Sequence, residues 1–348
     1  MKQMVINSHT IGNVTPAYVI AEIGNNHCGD VRLAAEMIRV AHECGADAVK
    51  FQMRDNKSLY TEEMYNAPYK NRNSYGDTYG LHREALELSI TDLLSLQEIA
   101  CDIGIDFFAT AFDIPSADKL IDMDVPAIKI ASGGLTNTRL IEHCAIKSGK
   151  PIIISTGGAT YEDIDRIYRT LRSYPIAFLH CLASYPNEPQ EINLRVIQEM
   201  QDRYYDATIG FSCHYNGICM AEGAFMLGAR IIEKHFTLNH TFKGTDHALS
   251  LEPQGLTSLC QNLSRMHQAL GDGVKVKHDS EVNPIRKMAQ SVYTSWGMIP
   301  HGTVLSADDI ELRTPADGLP AWEYDNIIGK VLTRDIGAGE LLKKGDYE

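Results

Sequence analysis

The chain has 348 residues, 44% hydrophobic and 22% charged, with a formal net charge of −13. These shares are ordinary for a soluble globular protein, and the length accommodates one large domain plus a small one. The negative balance argues against a nucleic-acid partner or an anionic-membrane surface, which the global field would repel.

No apolar run of about 18 residues occurs. The start Met1-Lys-Gln-Met-Val5 has no apolar signal core, so a cytosolic location with no membrane partner is expected. Eight cysteines are scattered without a Cys-x-x-Cys pair. They indicate neither a disulfide framework nor a zinc knuckle and read mostly as buried thiols.

Apolar runs alternate regularly with amphipathic segments. Tyr18 to Ile23 is a predicted strand, and Asp30 caps a helix from Val31 to Cys44 that closes on Gly45. Ala46–Gln52 is the second strand. A helix capped by Thr91 runs to about Asp102, and Ile105–Thr110 is the third strand. Asp113 with Pro115 opens another helix before the strand Ala127–Ala131. A helix over Asn137–Ser148 leads to the strand Pro151–Ser155. Thr160 and Asp163 resemble a capping box for the helix to Ser173, and Ile176–Leu182 is the sixth strand. Helices over Glu191–Arg203 and Asn216–Leu227 flank the strand Ala207–Ser212. Ala229–His235 is the eighth strand, with a last helix from about Pro253 to Leu270.

Eight strand–helix units in residues 1–270 match an α/β fold of the closed (β/α)₈ TIM-barrel type. An open doubly wound sheet is the rival, disfavoured because no Gly-x-Gly-x-x-Gly turn follows the first strand. Between the second strand and its helix, residues 53 to 89 are too long for an ordinary loop. Five tyrosines there suggest an ordered lid or interface excursion. Residues 271–285 read as a linker. In the segment 286–348, the pattern Ile299, Gly302, Leu305, Asp309, Ile310 recurs as Ile336, Gly339, Leu342, Asp346, Tyr347. This spacing suggests a small β-rich domain with pseudo-twofold symmetry.

In such barrels the chemistry lies at the C-terminal ends of the strands. Those ends carry Glu22, Lys50, Gln52, Thr110, Lys129, Ser132, Ser155, His180, Tyr185, Ser212, His214, Glu233 and His235. Lysines beside hydroxyls suit a phosphate or carboxylate, unless they are separate ion pairs and strand caps. The paired histidines suit a divalent cation acting as a Lewis acid, unless each is a hydrogen-bonded strand end. Glu22 and Asp246 are candidate acid–base groups or hydroxyl acceptors.

At these same residues the whole chain resembles the sialic acid synthase family. The markers include Ala21-Glu-Ile-Gly-Asn-Asn-His-Cys-Gly29, Val49-Lys-Phe-Gln52, Ile128-Lys-Ile-Ala-Ser-Gly133, Ile154-Ser-Thr-Gly157, Gly210-Phe-Ser-Cys-His214, Glu233-Lys-His-Phe-Thr237 and Ser250-Leu-Glu-Pro253. The tail is similar to the family's antifreeze-like (β-clip) domain.

The resemblance implies metal-dependent condensation of phosphoenolpyruvate with an acylamino sugar to a nine-carbon 2-keto-3-deoxy acid. It assigns phosphoenolpyruvate to Lys50, Thr110, Lys129, Ser132, Ser155 and Ser212, and the metal to His214 and His235. Manganese is the expected ion, with magnesium or cobalt as alternatives. Glu22, Gln52, Tyr185, Glu233 and Asp246 fall around the sugar and the reacting atoms. The resemblance also implies a homodimer in which the tail covers the partner's barrel mouth and contributes Arg313. Gly134, Ala183 and Cys213 depart from the family's pattern, so altered acceptor contacts are expected. A 3-deoxy-octulosonate-type synthase and a noncatalytic sugar binder are the competing readings.

Overall fold

A computed structural model describes residues 3–348. It divides into two compact units, residues 1–271 and 272–348. The first unit opens with a hairpin of β1 (Met4–Ile6) and β2 (His9–Ile11), an element absent from the predicted order because each strand is only three residues long. It is tied to the start of a barrel strand: Asn7 and the Tyr18 hydroxyl donate to the carboxylate of Asp106 at 2.5 and 2.6 Å.

Eight parallel strands then close into a barrel: β3 (Tyr18–Gly24), β4 (Ala48–Met53), β5 (Asp106–Ala111), β6 (Ile128–Ile130), β7 (Ile152–Ser155), β8 (Ile176–Cys181), β9 (Thr208–Cys213) and β10 (Ile231–His235). The last strand pairs with the first, completing the TIM-barrel architecture. The strands read as continuous apolar runs because both faces are covered, by barrel core on one side and helices on the other.

Helix boundaries follow their caps. Asp30 accepts from the amides of Arg32 and Leu33, and Thr160 with Asp163 forms the expected capping box. The third-strand helix begins earlier than predicted: Ser89, not Thr91, is the cap, because Ser89 and Asp92 complete a reciprocal box. The helix expected over Glu191–Arg203 is broken by Asn193, whose φ is +46°, into Pro189–Ile192 and Val196–Arg203. Gly217, at φ +105°, delays the next helix to Cys219.

The excursion after β4 is ordered. It holds three short helices, Asn56–Leu59, Glu62–Asn66 and Tyr79–Glu84, each capped by an Asp or Thr side chain. Tyr60 and Tyr69 pack edge-on against Tyr79 at 5.2 and 5.5 Å between ring centroids.

Part of the expected linker is helical. Asp279–Met288 forms a helix despite containing Pro284, because Glu281 and His278 complete a capping box ahead of it. Beyond it, β11 (Ser291–Thr294) pairs antiparallel with β12 (Ile310–Arg313). The repeat is visible in the hydrogen bonds. Ile299 and Ile336 exchange both amide–carbonyl bonds at 2.9 Å. Gly302 donates to Leu332, as Gly339 does to Ser295, and Asp309 and Asp346 each accept from the amide three residues earlier. A core including Val292, Leu305, Ile327, Leu332 and Leu342 lies within this unit.

Candidate active site

Strand register places the polar ends side by side. Glu22 lies opposite Lys50 across β3 and β4, Gln52 opposite Thr110, Thr110 opposite Lys129, and Ser212 opposite Glu233. Closure of the barrel adds His235 opposite Glu22. Together with Ser132, Ser155, Tyr185, His214 and Asp246, these residues line a cleft of ≈ 460 Å³.

Its floor is an almost sealed set of charges. Lys50 Nζ lies 2.7 Å from Glu22 Oε2 and 3.8 Å from Glu233 Oε2, and donates to Thr110 Oγ1 at 2.8 Å. Lys129 Nζ donates to Ser155 Oγ at 2.5 Å and to the Ile130 carbonyl at 2.9 Å. Lys50, Lys129, Glu22 and Glu233 are each 5% exposed or less. Burial alone would push Glu233 up, but Lys129 and Lys50, with the hydroxyl of Ser212, outweigh it and hold the carboxyl well below the usual range. Burial lowers Lys129, opposed by Glu233. Lys50 thus answers both carboxylates while Lys129 is held only by a hydroxyl and a carbonyl, and a small anion would find charge and hydroxyl donors converging on one place.

The histidines form the other side. His214 donates its Nδ1–H to the Leu182 carbonyl at 2.7 Å, which leaves the lone pair on Nε2. Burial and the neighbouring His235 push His214 down to about 3, so it is a neutral imidazole. The two rings lie 5.4 Å apart, and Tyr185 stacks on His214 at 4.0 Å. His235 Nδ1 is buried without a hydrogen-bond partner, 4.0 Å from Asp246 Oδ2. A pair of imidazoles, one with an orphaned buried nitrogen, fits a borderline divalent cation. Among the described residues no third His, Cys, Asp or Glu completes a cluster, so other coordination positions would fall to water or substrate oxygens.

Two expectations change. His180 is turned out of the cleft, its Nε2 bonded to the Ile192 carbonyl at 2.7 Å, because strand parity points Cys181 inward instead. Cys213 is likewise on the outer face of β9, fully buried and 3.7 Å from Lys234 Nζ, so it touches no acceptor. Ala183 does line the cleft, and at Gly134 an added Cβ would come within 3.0 Å of Ile130 Cγ2. Arg313 belongs to the second unit, where its guanidinium pairs with Glu311 and stacks over Trp296 at 4.3 Å.

Arg54 and Glu87 were missed. Arg54 donates to Gln52 and to Glu87 Oε1 (3.2 Å) and lies 3.8 Å over the Phe112 ring, while Gln52 donates to Glu22 at 2.7 Å. A relay of contacts therefore runs from Glu87 to the Glu22 carboxylate. Arg54 continues the parity of Lys50 and Gln52, which was the available signal. Arg83, also in the cleft wall, comes from the excursion and had none.

A closed barrel whose strand ends gather a lysine–hydroxyl cradle beside an imidazole pair is an enzyme architecture for a small anionic reactant. The chain belongs to the NeuB family, whose profile matches residues 37–275, and it carries a SAF domain over residues 298–348. It is 36% identical to the N-acetylneuraminate-9-phosphate synthase of Homo sapiens over 92% of this chain and 89% of that one. It is 35% identical to the N,N'-diacetyllegionaminic acid synthase of Legionella pneumophila, over 95% of this chain and 94% of that one. The crystal structure of the N-acetylneuraminic acid synthetase of Leptospira borgpetersenii in complex with citrate superposes with a TM-score of 0.71 at 32% identity, covering 82% of this chain and 95% of that one. The protein is accordingly an enzyme of the sialic-acid-type synthase family, and among its described residues no helix is long and apolar enough to cross a membrane.

Proposed function

We propose that the protein condenses phosphoenolpyruvate with an acylamino sugar, giving a sialic-acid-type 2-keto-3-deoxy acid and phosphate. The observation that carries this reading is the pairing of Lys50 with Thr110 and of Lys129 with Ser155, beside the imidazoles of His214 and His235 in one cleft.

Lys50 and Lys129 neutralise the phosphate and carboxylate of phosphoenolpyruvate, and Thr110, Ser132, Ser155 and Ser212 supply directional donors. Glu22, held by Gln52, and Asp246, beside His235, orient the acceptor's hydroxyls and exchange its protons. Tyr185 packs against His214 and holds that ring in place. The methylene carbon of phosphoenolpyruvate bonds to the acceptor's carbonyl carbon, whose oxygen takes a proton. Water then adds at the former enol carbon, and phosphate leaves by carbon–oxygen cleavage.

His214 and His235 would hold a divalent cation, manganese foremost, which when bound polarises the acceptor's carbonyl as a Lewis acid. The proposal includes a homodimer in which Arg313 of one copy serves the cleft of the other. Mixing a Lys50→Ala variant with an Arg313→Ala variant tests it: restored activity supports the shared arm, and none refutes it.

The decisive assay follows phosphate release from phosphoenolpyruvate with a panel of acylamino hexoses, with and without chelator. Release that requires both acceptor and metal is expected. No release with any acceptor would sink the reading, and chelator-insensitive turnover would remove the metal from it.

A further inference from the structure

The two imidazoles of the cleft are held in different ways. His235 lies within the barrel ladder, opposite Glu22 of β3. His214 lies past it, because the pairing of β9 with β8 ends at Ser212 and its pairing with β10 ends at Cys213. Yet His214 is only 4% exposed, and buried backbone groups left without partners are costly.

Asn187, in the loop after β8, supplies those partners. Its backbone N–H donates to the His214 carbonyl and its Oδ1 accepts the His214 N–H, both at 3.2 Å. Its Nδ2 donates to the Ser184 carbonyl at 2.7 Å, the Ser184 hydroxyl at 3.1 Å and the Leu182 carbonyl at 3.3 Å. These contacts allow one orientation of the amide, since only its nitrogen can face two carbonyls and only its oxygen can face an N–H. The Leu182 carbonyl is the one that takes the Nδ1 proton of His214, and Tyr185 of the same loop stacks on that ring. A side chain 2% exposed and outside the cleft lining thus grips both the backbone of His214 and the acceptor that fixes its tautomer.

We propose that Asn187 is a positioning residue for His214: it stands in for the missing strand, keeps the Leu182 carbonyl on Nδ1, and so presents the Nε2 lone pair to a divalent cation. The inference rests on the reading of the two histidines as a cation site, and it adds to that site a residue that touches neither the cation nor a reactant. Partners bonded to the far nitrogen of a ligating imidazole set its orientation and basicity. The strand itself does not depend on Asn187. Its pairing up to Cys213 and the bond from Lys234 to the Tyr215 carbonyl hold β9 independently, so loss of the Asn187 side chain leaves the barrel closed.

The test uses the full-length, metal-free protein. Ring-nitrogen NMR at neutral pH, with the His214 signals identified by their loss in His214→Gln, is expected to show a single tautomer protonated on Nδ1. In Asn187→Ala that tautomer should give way to a mixture. Manganese titrated alone should bind the variant roughly 10- to 100-fold more weakly, the usual cost of losing such a partner. Phosphoenolpyruvate titrated in the presence of chelator should bind both proteins equally, because Lys50 and Lys129 stand on other strands, whereas a general loosening of the barrel would weaken both ligands. A wild-type ring protonated on Nε2, an unchanged manganese affinity in the variant, or equal losses for manganese and phosphoenolpyruvate would overturn the proposal. The first of these needs no variant, so the proposal stays refutable even if Asn187→Ala fails to fold. If the wild type binds no manganese, the cation reading fails by itself, and the tautomer in the wild type and the variant then decides the role of Asn187.

Discussion

Lys129 is fully buried, and its ammonium is held by Ser155 and by the Ile130 carbonyl. Its replacement by alanine leaves the Glu233 carboxylate short of a cation and removes a donor from the anion cradle. We expect Lys129→Ala to lower kcat/KM for phosphoenolpyruvate by roughly 10²- to 10³-fold, the usual cost of one preorganised electrostatic partner. Because burial lowers the Lys129 pKa from its ordinary 10.5, the free enzyme loses that charge early as pH rises. The kcat/KM for phosphoenolpyruvate should therefore fall on an alkaline limb with a midpoint below 10.5, and a profile flat to that pH would contradict the assignment. The relay through Arg54 is a subtler matter. Glu87→Gln removes the carboxylate that holds the guanidinium without touching the cleft floor, so a modest loss in kcat with an unchanged KM for phosphoenolpyruvate is expected.

At the scale of elements, β9 must lie tight against its neighbours for Ser212 and His214 to reach the cleft. A Cβ at Gly210 would come within 2.5 Å of the Ile231 carbonyl oxygen and 2.4 Å of Leu179 Cδ2. Gly210→Ala should cost about 1–3 kcal/mol through overpacking, seen as a lower urea midpoint at unchanged slope. Strand order and most strand ends were legible in the sequence, because parallel strands buried on both faces leave unmistakable apolar runs and period-two parity selects what faces the cleft. The same parity explains the two errors. His180 and Cys213 sit one position out of phase with the inward residues Cys181 and Ser212. What remained hidden were groups delivered by the excursion. Arg83 reaches the cleft through three short helices whose placement depends on tyrosine packing and on the Tyr75–Lys243 bond, and no local periodicity records such contacts. The helix at Asp279 was hidden for another reason: a capping box signals it, but a proline at its sixth position reads as a stop.

For the whole molecule, acid is the expected weakness. His27 is buried and pushed down to about 4, chiefly by burial, against 6.5 for a free imidazole. The depressed value means that the neutral ring contributes fully above pH 6.5 and that the contribution is lost as pH falls toward 4. For His27 alone the shift corresponds to on the order of 3 kcal/mol. His82 and His214 are lowered in the same direction. Denaturant midpoints should decline steeply across that window, and His27→Gln should flatten the decline; a variant with the wild-type slope would remove His27 from the account.

The pairing of β10 with β3 carries a kinetic consequence. This seam joins the first and last strands of the barrel, and the site straddles it, with Glu22 and Lys50 on one side and Glu233 and His235 on the other. An open sheet on the way to the native state can hold every helix and still have no cleft, since contacts between distant chain segments form late. Activity during refolding is therefore a clock for closure: it should return with the slowest phase, after the helical signal has recovered.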